Sequence, residues 1–309
     1  MITIYKSIND RVETVDSLSE GCWVSVIDPD DREIVQVKDF GIPADFVTHA
    51  LDIDERAHTE RNDGVVLIVL RLPHEQEKTA QIPYCTVPLS IILTGSLIVT
   101  ICRAETAVIR EFTASQRNGL SPIKKNRFVL QLLLRTASQY LHYLRDIDTA
   151  VDILEDKLYR SLQNKEVMDL LKYQKGLVYF TTALKSNELM LERLQKGQLF
   201  QPHPEDVELL DDVLIEIRQA IEMTYISENI LSQMMDAFAS IISNNLNVVM
   251  KILTSITIVI SLPTLIASLY GMNVRLPGQH LPYAFSLTLL VSLMISSIVV
   301  VVFWKKNWI

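Results

Sequence analysis

Two charge-free runs near the C-terminal end constrain this chain more than any other feature. Ile252–Tyr270 is 19 residues without a charge, and Pro282–Trp304 is 23. About 20 apolar residues suffice for a helix to cross roughly 30 Å of bilayer hydrocarbon. Only the 11 residues Gly271–Leu281 lie between them. The pair therefore reads as a two-pass hairpin whose ends share one side of the membrane. Lys251 precedes the first run, and Lys305 and Lys306 follow the second. The intervening loop carries only Arg275 and His280. The positive-inside bias then predicts that both termini are cytoplasmic in a cell-membrane protein, and Trp304 and Trp308 suit an interfacial aromatic belt.

The hydrophobic share of 49% exceeds the usual soluble balance, and the excess is local to these last residues. The first 240 read as an ordinary charged cytosolic protein. A net charge of −8 lacks the basic stripe of a nucleic-acid binder. It suits a solvated domain, and it is compatible with handling cations. Cys22, Cys85 and Cys102 are odd in number and widely spaced, which predicts free thiols rather than a disulfide framework or a Cys-x-x-Cys metal site. Met1–Lys6 lacks the basic start and apolar core of a signal peptide.

Residues 1–120 read as a mixed α/β domain. β-Branched runs recur at Ile2–Tyr5, Trp23–Ile27, Val65–Leu70, Thr86–Leu93 and Leu97–Cys102, between turn signals such as Asp28-Pro29 and Asn62-Asp63-Gly64. Ser90–Ile101 reads as a hairpin turning at Gly95, with short helices at Pro43–Leu51 and Thr106–Ala114. Residues 121–204 read as an antiparallel helical hairpin. Its first helix starts at Ser121-Pro122; its second runs from about Lys165 to Gln195 and stops at Gly197. Phe200–Pro204 is a break. A long helix over 205–270 then carries acids in its first turn and runs about 100 Å into the first span. An external loop (271–281), a second span (282–304) and a basic tail (305–309) complete the layout.

Within the first span, Asn247, Met250, Thr254, Thr257, Ser261, Thr264 and Ser268 recur at steps of three and four, which places them on one face. Such a face is costly in lipid unless it meets water or partners; small hydroxyl residues also serve plain helix packing. In the second span, Ser286, Thr288, Ser292, Ser296 and Ser297 are not confined to one narrow stripe. The first span is therefore the candidate pore wall, loosened at Pro263. One helix cannot enclose a pore, so copies of the chain are needed in closed cyclic symmetry.

Directly after that span stands Tyr270-Gly271-Met272-Asn273. Position and motif together resemble the CorA family of magnesium channels, whose signature is Gly-Met-Asn at this place. The resemblance extends to Asn247–Thr254, Leu262-Pro263 and Trp304-Lys305-Lys306-Asn307-Trp308. In the N-terminal part it covers Trp23 leading to Asp28-Pro29, the Gly41-Ile42 turn, Gly64 before a strand ending Leu70-Arg71, and the Ser90–Ile101 hairpin.

The fold implied is an α/β cytosolic domain followed by long helices and a two-helix transmembrane hairpin, assembled as a funnel-shaped homopentamer in a lipid bilayer. The function implied is potential-driven Mg2+ influx, with cobalt or nickel as further permeant ions. Gly271, Met272 and Asn273 would form the selectivity filter, Asn247 a polar ring, and Met250 and Leu253 a hydrophobic gate. The resemblance puts Leu253 on the pore face where the polar stripe has Thr254. Lys305 and Lys306 would form a basic ring, and Asp212 and Asp236 fall near carboxylates that sense cytosolic Mg2+ as a regulator. The chemistry of the filter is readable directly. Magnesium sheds its waters reluctantly, and a neutral amide oxygen such as that of Asn273 can recognise the hydrated ion without trapping it. Gly271 allows a tight turn; a Gly/Asn helix cap is the simpler account of the same residues. The loop Val274–Leu281 departs from the family in lacking an acid.

A zinc transporter of the same superfamily is the nearest alternative. Met272 speaks for magnesium, and the six histidines, His49, His58, His74, His142, His203 and His280, show no paired helical spacing suited to zinc. A membrane-tethered scaffold or signalling protein is the alternative of another class. No nucleotide loop or hydrolase motif is present, so no enzyme is expected.

Overall fold

The computed structural model describes residues 1–8, 11–77, 80–115, 122–161, 164–196, 204–273, 278, 282–306 and 308. They fall into two units, Met1–Gln233 and Met234–Ile309.

The first unit is built on a seven-stranded sheet: β1 (Ile2–Ile8), β2 (Arg11–Thr14), β3 (Trp23–Ile27), β4 (His58–Asn62), β5 (Val65–Glu75), β6 (Tyr84–Leu93) and β7 (Ile98–Cys102). The order is β2-β1-β3-β7-β6-β5-β4. Only β3 and β7 pair in parallel, Trp23 opposite Ile98. Strands β3, β6 and β7 are apolar without alternation because both their faces are buried. Val24, Val26, Leu67, Val69, Val99 and Ile101 point to one side. There they meet Val37 of α1 (Asp31–Lys38) and Phe46, Val47 and Ala50 of α2 (Ala44–Leu51). The alternate residues point to the other side, under α3 (Ala107–Ser115), α4 (Lys125–Ser161) and α5 (Asn164–Lys196). Trp23, 1% exposed, packs edge-on against Phe112 and Phe128 there, and its indole N–H donates to Thr100 Oγ1 at 2.9 Å. The result is an α/β/α sandwich.

Arg71 of β5 fastens the α4–α5 layer to the sheet. Asn187 of α5 accepts from the Arg71 N–H and donates to its carbonyl, each at 2.9 Å, and the Tyr140 hydroxyl of α4 donates to that carbonyl at 2.9 Å. Gly176 lets α5 come close: a Cβ there would stand 3.1 Å from the Tyr84 carbonyl oxygen of β6. The first part of α6 (Pro204–Tyr270) belongs to this unit and buries Val213, Leu214, Ile217, Ala220, Thr224 and Leu231 at helical spacing. Arg218 ties it to Glu188 and Glu192 of α5 at 2.9 and 3.1 Å, and Ser227 ties it to Asp148 of α4 at 2.7 Å.

The sequence reading of α2, α3 and the β6–β7 hairpin matches these elements; three others escaped it. Helix α1 has no counterpart in the sequence reading, which marks only the turn Asp28-Pro29 before it, although Asp30 and Glu33 form a complete capping box. Strands β2 and β4 are short, polar edges without an apolar signature. The predicted start at Ser121 and stop at Gly197 lie outside the described residues, as do 200–203; α4 is seen from Lys125 and α5 to Lys196.

The second unit holds the rest of α6 and α7 (Ala284–Lys305). Their most apolar 18-residue windows are only 6% and 11% buried. A core helix of a soluble protein would be mostly buried, so these two are exposed greasy helices of membrane-spanning length. Trp308 lies beside Phe303, ring centroids 5.4 Å apart.

Candidate functional site

Helix α6 has two distinct faces within the second unit. One is turned inward: Ser255 is fully buried, and Ile258, Val259, Leu262, Pro263 and Ile266 are half-buried. On α7, Ser292 and Ser296 are buried and Ala284 and Thr288 half-buried. Those four α7 residues fall at steps of four, a small-xxx-small pattern. The sequence reading found no narrow stripe on α7 because the exposed Ser286 and Ser297 blur it.

The other face of α6 carries the predicted stripe. Asn247, Met250, Thr254, Thr257, Ser261, Thr264 and Ser268 are all exposed, as is Leu253. At roughly 100° per residue the stripe lies about a third of a turn round from the buried face. The stripe's hydroxyls are therefore not consumed in packing within the chain; Ser255, off the stripe, serves that purpose. Leu253 and Thr254 both stand open, so exposure favours neither as the apolar constriction.

The hydroxyls of Thr257, Ser261 and Thr264 donate to the carbonyls of Leu253, Ile258 and Ile260 at 2.8, 3.0 and 3.1 Å. Their protons are satisfied by their own helix, which lowers the cost of a polar face in lipid. Helix α6 continues through Pro263, whose missing N–H deprives the Val259 carbonyl of its usual donor.

Helix α6 ends at Tyr270, and Gly271, Met272 and Asn273 follow in an exposed turn. The Gly271 N–H donates to the Ala267 carbonyl at 2.9 Å and the Met272 N–H to that of Leu269 at 3.3 Å. Gly271 is not among the glycines with positive φ, so it is not the left-handed cap that the simpler account required. A Cβ on it would meet only the Ala267 and Ser268 oxygens, at ordinary distances of 3.4 and 3.5 Å. Among the described residues of the protomer nothing demands glycine here. Of the acid-free loop, only Gly278 lies among the described residues; Arg275 and His280 are outside them.

Asp212 and Asp236 both sit on α6 and are exposed, as are Lys305 and Lys306 at the end of α7. His49 and His58 have no helical spacing, yet the fold brings their rings to 5.6 Å, with Glu55 between them. Their proximity depends on the α2–β4 loop, which spacing along one helix cannot reveal.

A family model described as CorA-like Mg2+ transporter protein matches residues 19–306. The chain is 28% identical over 298 residues to the cobalt/magnesium transport protein CorA of Methanocaldococcus jannaschii, covering 93% of this chain and 91% of that protein. It is 24% identical to the protein of the same name from Thermotoga maritima, covering 93% and 83%. Its fold superposes on the complete structure of the M. jannaschii CorA magnesium transporter with a TM-score of 0.85 at 25% identity, over 100% of this chain and 99% of the other.

Proposed function

The chain belongs to the CorA-like Mg2+ transporter family, and from that premise we propose that five copies form a ring that admits Mg2+ down the membrane potential. One observation carries the reading. The polar stripe of α6 is turned away from the buried seam and leads directly into Gly271-Met272-Asn273. Copies arranged with this face inward enclose a wet path, and α7 stands behind it against lipid.

At the entrance, Asn273 offers side-chain carbonyl oxygens to the outer shell of hydrated Mg2+, which retains its first-shell waters. Gly271 lets neighbouring copies crowd the axis with bare backbone. Met272, exposed within the single chain, completes the filter motif. Deeper, Asn247 supplies a second polar ring, and Met250 with Leu253 an apolar constriction that closes by dewetting. Thr254, Thr257, Ser261, Thr264 and Ser268 line the path between. Both termini lie in the cytoplasm of a cell-membrane protein, with Lys305 and Lys306 a basic collar there. Asp212 and Asp236 face neighbouring copies and respond to cytosolic Mg2+. Cobalt and nickel ions follow the same path. The potential supplies about 2.3 kcal/mol per charge per 100 mV, twice that for a divalent ion.

The test is flux. The protein is reconstituted in liposomes with an internal magnesium dye, and an inside-negative potential is imposed. Uptake that is lost in Asn273→Ala supports the reading. Absence of magnesium uptake, with zinc uptake responding to a proton gradient, replaces it by a zinc transporter.

A further inference from the structure

We propose that His49, Glu55 and His58 form a binding site for a transition-metal dication of the Zn2+, Co2+ or Ni2+ class. The site lies in the sheet unit, on residues other than those of the proposed conducting face.

Three neighbouring elements supply the ligands: the last turn of α2, the loop that follows it, and the first residue of β4. One donor atom from each residue lies within 4.8 Å of the others, and all three side chains are half-buried. The His49 Nδ1–H donates to Glu55 Oε2 at 2.9 Å, and His58 Nδ1 stands 3.4 Å from Glu55 Oε1. Both imidazoles thus address one carboxylate. The His58 Nδ1–H also donates to the Arg56 carbonyl at 2.9 Å. That bond selects the tautomer whose Nε2 carries the lone pair, the arrangement by which outer partners orient ligating histidines.

The loop bearing Glu55 is held in place. Arg71 Nη1 donates to the carbonyls of Ile53 and Glu55 at 2.7 and 3.0 Å, while Nη2 grips Thr86 of β6 at 2.9 and 2.8 Å. Ser186 Oγ of α5 accepts from the Ala57 N–H at 3.0 Å. The carboxylate is therefore presented by a braced backbone. Asp45 and Glu60 add negative potential around His49, which favours a cation.

Donor type sets the class of metal. Two imidazoles and a carboxylate suit zinc, cobalt and nickel, whereas Mg2+ takes oxygen ligands and keeps its waters. Three protein ligands leave a position for water. Binding exchanges the proton now between His49 and Glu55 for the metal and draws α2 to β4. The stripe and the turn after α6 contain no histidine, so the two sites separate by mutation.

The test uses the full-length protein in detergent, stripped with a chelator and titrated with Co2+. A visible absorption band should saturate near one ion per chain, be displaced by Zn2+ and persist in excess Mg2+. In His49→Gln/His58→Gln the affinity should fall by at least about tenfold, while in Asn273→Ala the band should remain. Glu55→Gln keeps a hydrogen-bonding group beside His49 and serves as the second variant, with circular dichroism of each metal-free variant matching the parent. A band of equal strength in both histidine and glutamate variants, or no saturable band in the parent, overturns the proposal.

Discussion

The two units differ in how far their side-chain hydrogen bonds reach. In the sheet unit, key buried polar groups are paired across elements: Trp23 with Thr100, Arg71 with Asn187, Thr86 and Tyr140. Those bonds join residues far apart in sequence and specify one packing within a single chain. In the second unit, the hydroxyl bonds among the described residues turn back within their own helix, Thr257 to Leu253 and Thr288 to Ala284; Ser255 and Ser296 bury oxygens without a partner among those residues, as Ser90, Gln131 and Glu166 do in the sheet unit. Local bonds satisfy a helix without choosing its neighbours. The first unit is knitted by bonds between distant residues of one chain, whereas in the proposed ring the second is finished by lipid and by further copies.

The sharpest way to break that contrast is at Trp23. Trp23→Ala should destabilise the sheet unit by about 3–5 kcal/mol, seen as a lower denaturant midpoint by circular dichroism with the helices of the second unit retained. Loss of both units together would show that they do not melt separately. Next comes the serine seam. Ser255→Leu forces a large side chain into a fully buried small position and should cost about 1–3 kcal/mol. The loss should fall on the second unit and on assembly size by light scattering, with the sheet unit unchanged.

Gly271→Ala sharpens the comparison differently. Because Gly271 has neither positive φ nor a tight Cβ environment, protomer stability should stay within about 0.5 kcal/mol, yet flux through the proposed ring should drop. Unchanged flux would return Gly271 to an ordinary helix end.

The smallest effect lies at His49. Its hydrogen bond to Glu55 is the main cause holding its pKa above the usual value, with Glu60 and Asp45 adding to the charge attraction and partial burial opposing it. The raised folded pKa means that this pair contributes stability fully below about pH 6.5, the unfolded value. That contribution fades as pH rises through the folded value. NMR titration should place the His49 midpoint above that of Glu55→Gln.

What was legible in the sequence follows the same division. The spans and the long α6 declare themselves because lipid forbids charge over a whole helix length, a signal no single residue can hide. The outward stripe was legible as periodicity. The seam on α7 was present at steps of four, but Ser286 and Ser297 masked it. In the sheet unit, α1 is short and weakly apolar, so only its capping box could have marked it. The His49–Glu55–His58 group was illegible, since it exists only because Arg71, on another strand, holds the loop where the three side chains meet.

The inward-turned hydroxyl protons of α6 have one more consequence. Thr257, Ser261 and Thr264 spend their hydrogens on backbone carbonyls, so each oxygen shows its environment only lone pairs. A wall built from this face accepts hydrogen bonds and donates none from these groups. Water around a cation points both hydrogens outward and can bond to such a wall; water around an anion commits one hydrogen to the ion and has only the other to offer. In the proposed ring such a lining would favour hydrated cations by the direction of its hydrogen bonds, with no charged side chain on the stripe.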